Sequence, residues 1–136
     1  MMQQQKMVLD FHKLFERPVC ASPSTKVSPK LRKLRETLMK EELGELIDAM
    51  KKKNLVKIAD GIVDLMVVTL GTANTYGLDV EEFFEEIHYS NMSKGDPEVI
   101  IRKDGKILKG KNWLPPELEP ILAKQMKQKR LQEWVT

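Results

Sequence analysis

Apolar residues recur along the chain at helical spacing in four segments. From Gln3 to Glu16, Val8, Phe11 and Phe15 follow a 3.6-residue repeat, which predicts a first helix ended by Pro18. The Ser-, Thr- and Pro-rich stretch from Val19 to Ser28 reads as loop. Ser28-Pro29 has the form of an N-cap followed by proline at the first helical position. The second helix then runs to about Lys53, with Leu31, Leu34 and Leu38 as one stripe and Leu43, Leu46, Ile47 and Met50 continuing burial; Asn54 is its stop. A third helix spans Leu55 to Tyr76 with Gly77 as its C-terminal cap. It is apolar on nearly every side, the pattern of a central, buried helix. Its β-branched residues also suit a strand, but its length and lack of internal turn residues decide for helix. Asp79 and Glu82 stand at capping-box spacing and open a fourth helix to about Met92, burying Phe83, Phe84 and Ile87. Beyond Pro97, Val99–Arg102 and Ile107-Leu108 flank Asp104-Gly105, which predicts a short β-hairpin. Pro115-Pro116 opens a last short helix around Leu118, Ile121 and Leu122, and the basic stretch Lys124–Thr136 is expected to fray. The fold class is all-α: a four-helix-bundle-like core with a short C-terminal β-hairpin and a terminal helix.

Composition narrows the class. The chain has 136 residues, the size of one domain. Hydrophobic residues make up 41% and charged residues 32%, too apolar for a disordered chain and too charged for a membrane protein. Cys20 is the one cysteine, which excludes an intrachain disulfide and a cysteine-based zinc site and points to the cytoplasm. Asp10, His12 and Lys13 interrupt the N-terminal segment, so no leader peptide is expected. Asp60 and Asp64 likewise interrupt the most apolar run, and no membrane span is expected. Residues 1–98 carry 14 basic and 16 acidic side chains, whereas residues 99–136 carry 9 and 4. The chain therefore reads as a helical, metal-binding catalytic body, 1–98, with a basic hairpin and helix appendage, 99–136, in the same domain. Two histidines supply a His-based triad poorly, and no glycine-rich phosphate loop occurs.

The carboxylates need an explanation. Glu41, Glu45 and Asp48 line one narrow face of the second helix, with Glu42 about 60° from Glu45. Like charges at this spacing repel. One reading is a solvated face neutralised by nearby lysines such as Lys40 and Lys51. Asp60 and Asp64, however, lie one turn apart on a helix with almost no polar surface, so at least one should be buried. A buried carboxylate needs a partner. Arg35 is one candidate; a divalent cation shared with the second helix is the other, since consecutive helices joined by a short connection face each other. Carboxylates without nitrogen or sulfur ligands select a hard ion, Mg²⁺ or Mn²⁺, which commonly handles phosphates. His88, Asn91 and Lys94 share a face of the fourth helix. Together with Lys106 and Lys109, beside Trp113, they form a basic segment suited to cover an anion. Taken singly, each lysine reads equally as solvated surface.

These residues resemble a known family. Glu41-Glu42-Leu43-Gly44-Glu45, then Asp60-Gly61-Ile62-Val63-Asp64-Leu65, is similar to the EExxE…ExxD signature of the all-α nucleoside triphosphate pyrophosphohydrolases. Gly71-Thr72-Ala73, Gly77-Leu78-Asp79, Glu86 through Lys94, Asp104-Gly105-Lys106 and Lys109-Gly110 resemble the MazG-like, phosphoribosyl-ATP pyrophosphohydrolase-like branch. The likeness covers Val8 to Leu122. It implies Mg²⁺-dependent hydrolysis of a nucleoside triphosphate, dUTP or a non-canonical nucleotide among the candidates, to the monophosphate and pyrophosphate. By position, Glu42, Glu45 and Asp64 should be metal ligands, Glu41 a ligand or the base that orients water, and Asn91 and Lys94 contacts to the nucleotide. The branch also implies a dimer or dimer of dimers. Where the signature has Glu, this chain has Gly61, and Asp60 is the available replacement. Phosphoribosyl-ATP pyrophosphatase is the alternative enzyme, disfavoured by the basic tail and the length beyond a minimal core. A non-catalytic nucleotide or nucleic-acid binding module is the other alternative. Against a nucleic-acid partner, aromatic residues are 6% of the chain and are not interleaved with the basic ones.

Overall fold

The computed structural model describes residues 1–128, and among these it is helical with no sheet. Five α-helices follow in order: α1 (Gln3–Leu14), α2 (Pro29–Lys51), α3 (Leu55–Thr75), α4 (Glu81–Met92) and α5 (Glu119–Lys127). A single 3₁₀ turn, Ser93–Gly95, follows α4. None of these helices is long and apolar enough to cross a membrane. From position 129 on, the tail expected to fray lies outside the described residues. The chain sorts into two compact units, Met1–Asp79 with the segment from Gln125, and Val80–Lys124.

In the first unit α3 packs against both α2 and α1. Local chemistry sets the helix ends. Ser28 Oγ accepts from Leu31 N at 3.1 Å and caps α2, with Pro29 behind it. At the other end Lys53 turns left-handed, its N–H donating to Met50 O and that of Asn54 to Ala49 O, both at 3.2 Å. Asn54 Oδ1 in turn accepts from Lys57 N at 3.2 Å, so the expected stop of α2 is also the cap of α3. The result is a tight antiparallel pair in which Arg35 meets Val68 and Thr72 while Leu46 meets Gly61. Gly61 marks a close approach: a Cβ there would lie 3.1 Å from Leu46 Cα. Gly71 makes room for buried side chains, since a Cβ there would lie 2.5 Å from an Arg35 nitrogen and 3.1 Å from His12 Nε2. On the α1 side, Val8 and Leu9 are buried, and Gln5 Nε2 donates to Asn74 Oδ1 at 2.9 Å and to Leu78 O at 2.6 Å.

Two expectations change here. α3 is not enclosed: Ile62, Val63, Met66 and Val67 are 40–56% exposed, because α1 and α2 cover only part of its circumference. α4 starts at Glu81, so its N-cap is Val80, which makes no side-chain cap, and not the expected Asp79, whose carboxylate pairs with the Met1 amino group at 3.2 Å and whose N–H donates to Gln125 Oε1 at 3.1 Å.

In the second unit, the segment after α4 is strapped to that helix. Ser90 Oγ donates to Leu114 O at 2.7 Å, Leu114 N to Ser93 Oγ at 2.9 Å, and Gly110 N to Lys94 O at 2.9 Å. The predicted β-hairpin is reduced to one antiparallel bridge, Ile101–Ile107. Its turn is as expected: Gly105 has φ +94°, and Gly105 N donates to Arg102 O at 2.8 Å. What fails is the ribbon. Val99, Ile100, Ile101 and Ile107 are 42–62% exposed, and two strands without a packed face are marginal. The last helix begins at Glu119, three residues beyond Pro116.

Candidate active site

Five candidate carboxylates gather on the antiparallel pair. α2 supplies Glu41, Glu42 and Glu45; α3 supplies Asp60 and Asp64. Glu42 stands at the centre. Its Oε2 is closed from water and has no hydrogen-bond partner. Its carboxyl is pushed above the ordinary range, first by burial and then by Glu45, Asp64, Glu41 and Asp60. All four neighbours are acids. Sequence reasoning placed the buried carboxylate on α3; there Asp60 is exposed and Asp64 is half-buried, as Glu42 is, while the oxygen closed from water belongs to Glu42. The helices meet at Gly61, and Asp60 beside it is exposed. Arg35, one candidate partner for these acids, is spent elsewhere: its Nε donates to Thr72 Oγ1 at 3.2 Å and another of its nitrogens to Val68 O at 2.8 Å.

Beside the cluster lies a cavity of about 230 Å³ lined by Glu45, Asp48, Ala49, Lys57, Asp60 and Gly61. Asp48 is held by Lys52 at 2.8 Å, and that contact keeps its carboxyl below the ordinary range. Lys57 was missed by sequence reasoning; its position one turn before Asp60 and Gly61 was the available signal. The side chains stand open: among the described residues no three His, Cys, Asp or Glu are gathered closely enough to hold a metal ion as they lie. The donor set nonetheless fits a hard cation. It is all oxygen, its central oxygen is buried without a donor, and each neighbour repels it.

The other six candidates lie in the second unit. His88 and Asn91 are exposed on α4, and Lys94 is half-buried in the 3₁₀ turn. Lys106 is exposed beside the Asp104-Gly105 turn. Lys109 Nζ sits 4.1 Å from the Trp113 ring centroid, a cation–π contact, and Trp113 Nε1 is buried without a hydrogen-bond partner. Ser90 and Ser93, by contrast, are occupied in holding the strap.

The chain is all-helical among its described residues, with five acids on one antiparallel pair. A model of the PRA-PH family, phosphoribosyl-ATP pyrophosphohydrolase, matches residues 8–91, and the chain belongs to that family of hydrolases acting on phosphoric anhydride bonds, within the all-α MazG-like superfamily. It is also 33% identical over 75 residues to an uncharacterized protein of Acanthamoeba polyphaga mimivirus. That match covers 53% of this chain and 30% of the viral protein.

Proposed function

We propose that the chain is a divalent-metal-dependent pyrophosphohydrolase that cleaves a nucleoside triphosphate, dUTP and non-canonical nucleotides included, to the monophosphate and pyrophosphate. The observation that carries this reading is Glu42: a buried, unpartnered carboxylate oxygen ringed by four acids on a family-matched span. Glu41, Glu42, Glu45, Asp60 and Asp64 are the residues that hold the metal. When bound, Mg²⁺, or Mn²⁺ in its place, neutralises phosphate charge and acidifies water. Where Glu41 serves as the base rather than a ligand, it would take a proton from the attacking water as that water's oxygen bonds to phosphorus and a phosphoric anhydride bond breaks to release pyrophosphate. His88, Asn91, Lys94, Lys106, Lys109 and Trp113 are the residues this reading offers for contact with the nucleotide, through their positive charge and hydrogen-bonding groups. The family's description favours phosphoribosyl-ATP as a second substrate reading, with the same bond chemistry. Pyrophosphate release from a panel of canonical, deaminated and uracil nucleotides and phosphoribosyl-ATP, with and without Mg²⁺, separates the two. Release from none of them defeats both.

The metal reading has a test apart from turnover. Glu42→Gln removes the repulsion at the centre of the cluster. In EDTA the variant should melt about 2–4 °C above wild type, and added Mg²⁺ should raise its melting temperature less than it raises that of wild type. Equal Mg²⁺ shifts in the two proteins would contradict the assignment.

Self-association as a dimer or dimer of dimers belongs to the same reading. Ile62, Val63, Met66 and Val67 form a continuous apolar stretch on the open side of α3, and a second copy is the cover it calls for. Light scattering should give at least twice the 15.7 kDa chain mass, and Met66→Glu should lower it; a monomeric wild type refutes the point.

A further inference from the structure

One cavity of the first unit has no part in the carboxylate site. It encloses about 570 Å³ between the loop from Arg17 to Ser28 and the start of α2. Lys30, on its wall, precedes Glu42 by more than three helical turns, about 18 Å along α2. Arg17, Lys26 and Lys30 line it, no carboxylate does, and none of the three forms an ion pair among the described residues. The remaining wall is largely apolar, with Val27, Leu31 and Leu34 prominent. Three cations at one apolar cleft of this volume suit a ligand that joins an anionic group to a flat apolar body. A second observation points the same way. The wall Arg17–Val19 is shared with a neighbouring cavity of about 310 Å³, which His12 lines. His12 is only 3% exposed, and its Nδ1 has no hydrogen-bond partner. His12 thus puts a buried polar ring on the cavity that adjoins this cleft.

We propose that this cleft is a second ligand site, for a nucleoside monophosphate, with Arg17, Lys26 and Lys30 on the phosphate and Val27, Leu31 and Leu34 against the base. The volume of the cleft, its three cations and its apolar wall suit such a ligand whether or not the carboxylate cluster is catalytic.

Cys20 lines the cleft and is the chain's one cysteine, so its alkylation reports occupancy. The experiment measures the rate of Cys20 modification by iodoacetamide, by mass spectrometry, on the full chain in EDTA. AMP and dUMP are the probes, with adenosine and inorganic phosphate as controls. At saturation a monophosphate should slow the reaction about tenfold, and Arg17→Glu or Lys30→Glu should raise the concentration required by about tenfold or more. Both side chains are exposed, and circular dichroism checks that the variants fold. Glu45→Gln should leave protection unchanged. The proposal is overturned if neither monophosphate protects Cys20, if protection requires Mg²⁺ or is lost in Glu45→Gln, or if inorganic phosphate alone protects equally well. It is overturned as well if Cys20 becomes unreactive with rising protein concentration, since a second copy would then cover the cleft.

Discussion

Glu45→Gln and Asp64→Asn should each lower pyrophosphate release by about 10²–10⁴-fold while leaving the far-ultraviolet circular dichroism of a helical protein intact. The two residues sit on different helices, Glu45 on α2 and Asp64 on α3, and both raise the Glu42 carboxyl through their charge. Each substitution removes one negative charge and keeps the side-chain volume. The scaffold is indifferent to that change because it rests on other groups: Gly61 against Leu46, Arg35 on Thr72 and Val68, and the Asn54 cap. Less like-charge repulsion should even favour folding slightly. Activity moves the other way, because the site needs the negative charge to hold a cation. A variant that loses its helical spectrum would show Asp64 to be mainly structural. A variant as active as wild type would remove the carboxylates from the chemistry.

Helix ends were legible because they are local. Ser28-Pro29, Asn54 and Gly77 each act within a few residues, and α2 and α3 end where those residues stand. The acidic cluster was legible for a related reason: a three-residue link between two helices leaves little freedom in how they face each other. Which acid lies inside was not legible. Apolar neighbours argued for Asp60 or Asp64; Asp64 is half-buried, as Glu42 is, but the oxygen closed from water is one of Glu42. The hairpin shows the same limit. Asp104-Gly105 makes its turn through local hydrogen bonds, but strands need a face to pack on, and pattern alone does not say whether one exists. The cationic cleft was out of reach altogether, being built from an irregular loop whose course no periodicity describes. Gly71 was visible in the sequence as a glycine inside a helix. Its reason, space for Arg35 and His12, exists only in three dimensions.

Acid should weaken this fold above all through His12. Its side chain is 3% exposed and packed in the α1–α3 seam. Burial first, then the charges of Arg35 and Arg17, lower its pKa from 6.5 to about 4. The groups around it are unequal: Arg35 from α2, Arg17 beyond α1 and Lys13 are cations, and Glu16 is the one acid lining the same cavity. Folded His12 is therefore neutral at pH 6, while in the unfolded chain it is largely protonated. The unfolded state binds the extra proton between the two values, so the stability held above pH 6.5 is lost as pH falls toward 4. At 1.36 kcal/mol per unit, the loss from this group is about 3 kcal/mol. Glu42 opposes it over part of the range: a carboxyl raised in the folded state binds its proton more readily there, so acidification through its titration favours folding. The two contributions separate by substitution. Urea unfolding of wild type, His12→Gln and Glu42→Gln at fixed protein concentration, from pH 7 to pH 4, should give His12→Gln the shallowest decline and Glu42→Gln the steepest. A His12→Gln curve parallel to wild type would mean that the imidazole accepts its proton without leaving the seam.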